Sequence, residues 1–262
     1  MQRPLLAHVA LIGIAFATHA RAAVTVSWSW DGLTDPGFIE HDPDATTFYD
    51  AANHVMKMGY GARAGVPACP SGTTLVSKQL PFAFADATLV VEYSLSPLGY
   101  FIDPTLANSD AWDPLTPAVS RVGAHVYDGP AGTLTYLYGY CDGSQILHDQ
   151  FMSTSDPQAT VRYRLTTSRI GADISGKLEK LQGSSWIVLG TKGPFSVPCL
   201  NEPLDVIRFD TAASNGTYGQ AAIYSISVTG TLAPTCPADS DHNGVVDETD
   251  LGLLLSDWGI CP

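Results

Sequence analysis

Positive charge is scarce in this sequence: 13 lysines and arginines stand against 26 aspartates and glutamates, giving a formal net charge of −13 over 262 residues. Such a surface repels phosphate backbones and anionic lipid, which argues against nucleic-acid and membrane-surface partners and favours cations or neutral polymers. Beyond the N-terminal segment no apolar run approaches the roughly 20 residues that cross a bilayer as a helix. Long helical patterns alternating with strands are also missing, which removes the basis for a βαβ fold. No internal repeat is found in the body of the chain. Hydrophobic residues nonetheless make up 45% of it, so a disordered acidic tail is excluded and a sizeable core can be buried.

The N-terminus reads as an export signal. Met1-Gln2-Arg3 carries one positive charge, an apolar run follows from Leu5 to Ala17, and Ala20-Arg21-Ala22 has the small-x-small form of a cleavage site. The expected signal peptide is residues 1–22, with the mature chain starting near Ala23. Its removal takes away Arg3 and Arg21 and no acid, so the net charge moves from −13 to −15. Export implies a secreted or cell-surface protein in which disulfides are permitted. Five cysteines are present, Cys69, Cys141, Cys199, Cys236 and Cys261; the odd count leaves at least one unpaired or paired with another chain. Cys236 and Cys261 bracket the C-terminal segment and are the expected pair, while the sequence does not say which two of Cys69, Cys141 and Cys199 join.

From Val24 to Leu232 the texture is one of short β-branched and aromatic runs punctuated by Gly, Pro, Asn, Asp and Ser, which predicts strands. Val24–Trp30, Thr88–Tyr93, Val119–Tyr127 and Leu134–Tyr140 are candidates. In Val161-Arg-Tyr-Arg-Leu165 the two arginines alternate with three apolar residues, as in a strand buried on one face. Ala222, Tyr224, Ile226 and Val228 alternate in the same way with Ile223, Ser225, Ser227 and Thr229. Leu178–Leu181 and Trp186–Leu189 flank Gln182-Gly-Ser-Ser185, a predicted hairpin. Only Tyr49–Met58 has helical spacing, through Ala51, Ala52, Val55 and Met56. The expected fold class is all-β: an antiparallel two-sheet sandwich over 23–232, of the jelly-roll or concanavalin-like kind, followed by a small calcium loop-helix module over 233–262.

That module carries the most specific motif. Asp239-Ser-Asp241-His-Asn243-Gly244-Val245-Val246-Asp247-Glu-Thr-Asp250 places oxygen side chains at loop positions 1, 3, 5, 9 and 12. Calcium takes six to eight oxygens, and a chain winding once around the ion supplies one from every second residue, with the backbone carbonyl of position 7, here Val245, among them. Gly244 falls at position 6, where the loop turns sharply. Leu251, Leu254, Leu255 and Trp258 then share one helical face that Gly259 ends. Pro234 and Pro237 rule out the entering helix of a standard EF-hand. A loop of the form Asp-x-Asp-x-Asn-Gly-x-Val-Asp-x-x-Asp ahead of one Leu-rich helix resembles the repeat of dockerin modules, the calcium-dependent adaptors of cellulosome enzymes. The resemblance covers residues 236–259. It implies a calcium site of Asp239, Asp241, Asn243, Val245, Asp247 and Asp250, with Asp250 closing the site. A functional dockerin has two repeats and this chain has one, so a cohesin partner is not implied. Single repeats framed by Cys-Pro-Ala-Asp and Trp-Gly-x-Cys also resemble C-terminal tags on exported proteins of planctomycete-type bacteria.

For the sandwich the expectation is carbohydrate or cell-surface binding, by its architectural similarity to concanavalin-like and carbohydrate-binding jelly rolls. Trp28, Trp30, Trp112, Tyr136, Tyr138 and Tyr140 are the aromatics available to stack on sugars, although alternating aromatics also serve cores. The alternatives are a polysaccharide hydrolase or lyase and a structural envelope protein. Glu40, Glu92, Glu179 and Glu202 are scattered, and no Glu-x-Asp-x-x-Glu of the laminarinase-like families occurs; no catalytic residue is assigned. An enzyme would need two carboxylates, or a His/Tyr/Arg set, converging in one groove. Gly139-Tyr-Cys141-Asp-Gly143 has the outline of a nucleophile elbow but ends a predicted strand. His41, Asp44, Asp50 and His54 offer metal-ligating side chains, but at irregular spacing, and read first as a polar loop leading into a short helix, with His125 and His148 as structural.

Overall fold

A computed structural model describes residues 24–40, 47–58, 73–95, 100–108, 120–129, 132–141, 144–154, 161–213 and 221–233, together with Glu248 and Leu251, both helical. Most of the remainder is strand, joined by turns and short loops: β1 (Thr25–Trp30), β2 (Ile39–Glu40), β3 (Phe48–Asp50), β4 (Val55–Met58), β5 (Thr73–Leu95), β6 (Tyr100–Ala107) and β7 (Arg121–Gly129), then β8 (Gly132–Cys141), β9 (Ser144–Thr154), β10 (Tyr163–Ile170), β11 (Asp173–Gln182), β12 (Ser185–Ser196), β13 (Leu204–Ala213) and β14 (Ala221–Leu232). All pairings are antiparallel. The expected two-sheet sandwich is the fold of the described residues.

The 23-residue β5 belongs to both sheets. Its first half pairs with β13 on one side and β2 on the other. Its second half pairs with β10 and β14. One sheet therefore runs β2-β5-β13-β6-β7-β8-β9, and the other β12-β11-β10-β5-β14-β1, with β4 and β3 attached beyond β14. Between them lies one main core, which includes Leu89, Val91 and Tyr93 of β5, Tyr163 and Leu165 of β10, Ile102 and Leu106 of β6, Val122 and Val126 of β7, Leu137 of β8 and Ile207 and Phe209 of β13. Each such side chain removed from water contributes roughly 2 kcal/mol. The period-2 pattern of every strand thus decides which of its residues face this core and which face out.

Arg169 is an exception that explains the switch of sheets. It occupies the inward row of β10, with only 1% of its surface exposed. Its guanidinium donates to the carbonyls of Leu200 (3.5 Å) and Glu202 (2.5 Å), and to those of Phe84 (3.2 Å) and Ala85. Those last two carbonyls lie where β5 passes from one sheet to the other. Backbone groups freed from ladder bonding at that point find their donors in one side chain. Burial lowers the Arg169 pKa to about 10, which leaves it charged at neutral pH.

Arg162 and Arg164 alternate with the inward Tyr163 and Leu165 as predicted, lying over the rings of Tyr224 and Trp186 at 4.0 and 4.2 Å. The predicted hairpin is β11-β12, turning at Gly183 with φ +62°. Two expectations are corrected. Tyr49–Met58 is a β-hairpin, not a helix: the Asp50 carboxylate accepts from the N–H groups of Ala52 and Asn53, and His54 takes φ +54°, which breaks helical continuity. In β14 the alternation changes phase at a bulge between Ile223 and Ser225. Ile223, Ile226 and Val228 all face the core, and the Tyr224 hydroxyl instead meets that of Ser94 at 3.1 Å. Among the described residues no helix is long and apolar enough to cross a membrane.

Candidate functional site

The outward face of the β13-β6-β7-β8-β9 strip gathers polar and aromatic side chains that are far apart in sequence. Register alone brings them together. Asp210 of β13 stands opposite Asp103 of β6. His125 of β7 pairs with Tyr136 of β8, and Arg121 with Tyr140. Tyr138 pairs with His148 of β9, and Tyr140 with Gln145. A cleft of about 550 Å³ is lined by Asp103, Arg121, His125, Tyr136, Tyr138, Tyr140, Gln145 and His148, together with Leu134. That is the volume range of small-ligand sites.

Gly123 lies between Arg121 and His125 on the same face of β7. A Cβ there would come within 2.4 Å of both the Pro104 carbonyl oxygen and the Thr105 methyl, so glycine is what lets β6 and β7 close up beneath the cleft. Around it the charged groups are tightly paired. Arg208 Nε donates to both Asp210 oxygens at 2.9 Å, and Arg121 Nη1 donates to Asp210 Oδ2 at 3.1 Å. Two guanidiniums thus share one carboxylate. His125 Nδ1 is 2.6 Å from Asp103 Oδ1. Burial pushes the Asp103 carboxyl up, and the hydrogen bond from His125 opposes it.

The aromatics form two contact groups on this face. The Tyr136 ring stacks on His148 at 4.6 Å between centroids and tilts against His125 at 6.1 Å. Tyr138 and Tyr140 meet edge to face at 5.5 Å, and the Arg121 guanidinium lies 4.2 Å above Tyr140. Desolvation would lower the Arg121 pKa, but Tyr138, Asp210 and Tyr140 more than offset it, so the guanidinium is held in its charged form. Tyr138 is 2% exposed, and its hydroxyl has no hydrogen-bond partner among the described residues; the same holds for Arg121 Nε. Burial and the negative charge of Asp103 drive the Tyr138 pKa well above its ordinary value, which keeps it a proton donor. Burial, helped by His125, lowers the pKa of His148 and favours its neutral ring.

The sequence-predicted residues divide between this cleft and other places. Tyr136, Tyr138 and Tyr140 are in it. Trp30 is core, 5% exposed, with its indole N–H donating to the Thr34 carbonyl at 2.6 Å, and Trp28 is half-buried near Lys78. Trp112 lies outside the described residues, as do Asp239, Asp241, Asn243, Val245, Asp247, Asp250, Cys236 and Cys261. Cys141 is bonded to Cys199, which settles one pairing and removes the thiol from the elbow-like motif. Asp50 is committed to Lys57 at 2.5 Å, a contact that with the Asn53 amide lowers its pKa to about 2, and His54 is exposed in the adjoining turn. His41 and Asp44 lie outside the described residues. Among the described residues no three His, Cys, Asp or Glu side chains converge as a metal site. His125 and His148, expected to be structural, line the cleft instead. Their signal in the sequence is the polar alternation of Arg121, Gly123 and His125 against buried Val122, Ala124 and Val126, which marks a face but not its neighbours.

The sequence matches no protein-family model and no curated protein. Its fold is that of known sandwiches. Peanut lectin, solved with a 9mer peptide, superposes with a TM-score of 0.53 over 81% of this chain and 100% of that one, at 12% identity. A prokaryotic β-1,3-1,4-glucanase (lichenase) from a mouse hindgut metagenome gives 0.55 over 79% and 99%, at 8% identity. A Bacillus licheniformis β-glucanase gives 0.52 over 77% and 97%, at 11% identity. The chain therefore has the jelly-roll sandwich architecture seen in lectins and β-glucanases. At these identities the likeness is one of fold alone.

Proposed function

We propose that this is an exported protein that binds a polysaccharide in the cleft on the outer face of the β13-β6-β7-β8-β9 strip, and that its C-terminal segment is a calcium-dependent tag. One observation carries the first part: three tyrosines alternate along β8 into a ligand-sized cleft whose rim and floor also hold Arg121, His125, Gln145 and His148. Sugars are recognised by such a mixture, apolar ring faces against aromatics and hydroxyls against planar polar groups. Lectins and glucanases of this fold lend the reading context.

The calcium part rests on donor chemistry. Asp239, Asp241, Asn243 and Asp247, the Val245 carbonyl and Asp250 are all hard oxygen donors, the set that suits calcium, and they would hold the ion in a loop stapled by Cys236 and Cys261. The cleft is tested by affinity electrophoresis of the full chain in gels containing neutral and acidic polysaccharides. Retardation by at least one polymer is expected, with Tyr136→Ala and Tyr140→Ala each weakening it about two- to tenfold, the worth of an aromatic contact of 0.5–1.5 kcal/mol. Retardation equal in wild type and both variants would place binding elsewhere.

A further inference from the structure

We propose that the stacked Tyr136–His148 pair is the platform on which a neutral sugar ring sits, and that protonation of His148 releases it, a deepening that rests on the polysaccharide-binding reading above. The rings of the cleft differ in what they leave open. Tyr138 is buried, and Tyr140 carries the Arg121 guanidinium 4.2 Å above its ring. Tyr136 is half-buried, with His125 tilted against it at 6.1 Å and His148 stacked on it at 4.6 Å, the planes 19° apart. His148 is the exposed ring of the group. It stands on β9, which ends its sheet, so among the described residues no further strand is paired beyond it.

The charges beneath the pair are matched among themselves. Arg121 and Arg208 both donate to Asp210, and His125 is joined to Asp103. With the histidines neutral and both carboxylates ionised, Arg121 and Arg208 cancel Asp103 and Asp210, so this floor presents no net charge to a ligand. Gln145 and Gln150, exposed on the same strand as His148, add amides that both donate to and accept from hydroxyls. An exposed ring flanked by amides over an uncharged floor suits a neutral sugar, whose C–H face lies on the ring while its hydroxyls meet the amides.

Protonation of His148 changes that platform. A neutral imidazole offers sugar C–H groups the electron density of its π face, whereas an imidazolium has lost that density and is a hydrated cation that a sugar ring would strip of water. The titratable and charged groups on this face are His125 and Arg121 of β7, Tyr136, Tyr138 and Tyr140 of β8, Asp103 of β6, and Arg208 and Asp210 of β13. On β9 itself Asp149 is committed to Lys192 of β12 at 3.3 Å. Desolvation first, and His125 second, hold the His148 pKa below the usual 6.5, so at neutral pH the ring is neutral and the platform intact. A sugar laid on the ring desolvates it further. Sugar and proton therefore compete for His148, and by linkage each weakens the other's binding by the same factor.

The test uses the full chain with neutral xylan and β-glucan and with polygalacturonate, reading mobility in affinity electrophoresis against polymer-free gels from neutral pH down through 6.5 and below. Retardation by a neutral polymer should hold steady near neutrality and weaken about two- to tenfold as pH falls below 6.5, the worth of one aromatic contact. His148→Ala should show the weaker level at every pH. His148→Phe, which keeps a ring but takes no proton, should match wild type at neutral pH and keep that binding on acidification. His125→Gln should move the midpoint of the weakening upward toward 6.5. Circular dichroism of each protein at each pH separates these effects from unfolding. Neutral-polymer retardation that ignores pH in wild type, or a pH dependence that survives in His148→Phe, overturns the release. Unchanged retardation in His148→Ala, or retardation lost in a folded His148→Phe, overturns the platform. Retardation by polygalacturonate alone, strengthening on acidification, overturns both while the polysaccharide reading stands. Retardation by no polymer at any pH removes that reading as well.

Discussion

Arg169 shows how a single polar residue can be built into a hydrophobic position without carrying a conventional ion pair. Its cation is solvated by four backbone carbonyls, at Phe84, Ala85, Leu200 and Glu202. Replacement by methionine keeps length and fills the space but orphans those carbonyls. Arg169→Met should therefore cost about 3 kcal/mol, read as a fall in the midpoint of urea unfolding. In the cleft the titrating residue to watch is His148. Its pKa lies below the usual 6.5, first through desolvation and then through His125. The sign follows from linkage: the unfolded chain binds the proton more readily, so the contribution to stability is complete above pH 6.5 and is lost as pH falls through the folded value. Replacing His125 with glutamine removes the neighbouring charge. NMR titration of the His148 ring should then show its midpoint moving upward toward 6.5.

At the level of elements, the cleft depends on strands being locked in register. Thr105, Gly123 and Tyr138 form one row across β6, β7 and β8, and a slip of one residue would turn Tyr138 inward and Leu137 outward. One covalent tie acts at the end of this strip. Cys141 closes β8 onto Cys199, 58 residues later, in the segment that leads into β13. Chain entropy for a loop of that length gives about 4 kcal/mol. The Cys141→Ala/Cys199→Ala double variant should lose stability of that order in denaturant unfolding under non-reducing conditions. Its β11-β12 hairpin should be retained, since that pairing is local. Gly139 and Cys141 alternate inward along β8 against Ile174 and Leu200, whereas Tyr138 and Tyr140 alternate outward. The motif that resembles a nucleophile elbow is thus a strand end whose cysteine has a structural use.

For the molecule as a whole the charge balance matters most. The chain carries 26 acidic against 13 basic residues, so its global field opposes an anionic ligand and does not steer a neutral polymer, whose capture in the cleft would rest on local contacts alone. The C-terminal loop has the opposite problem. On the proposed calcium reading, Asp239, Asp241, Asp247 and Asp250 would repel one another until a divalent ion neutralised them. Calcium titration of the chelator-treated full chain should increase helical circular dichroism and raise the thermal midpoint, both reversed by EDTA. Asp239→Ala should abolish the response while leaving the sandwich folded. An unchanged spectrum across the titration would remove calcium from the account.

Some of this was legible before any coordinates. Strand character, the inward and outward faces of Val161–Leu165, the Gln182–Ser185 hairpin and the tyrosine row on β8 all follow from a period-2 alternation written in neighbouring residues. The proposed calcium ligands are also a local pattern, an oxygen on nearly every second residue of one segment, and they lie outside the described residues. The failures came where features that periodicity does not register overrode it: helical spacing at Tyr49–Met58 gave way to an Asp50-centred turn, and a bulge in β14 turned Tyr224 outward. The cleft itself was out of reach. Arg121, His125 and His148 could be assigned to strand faces, but only the pairing of β6, β7, β8, β9 and β13 puts them beside Tyr138, Asp103 and Asp210. Alternation is a property of one strand and its backbone geometry. Register between strands is a property of the whole packed core, because it is fixed by side chains from both sheets burying one another at once.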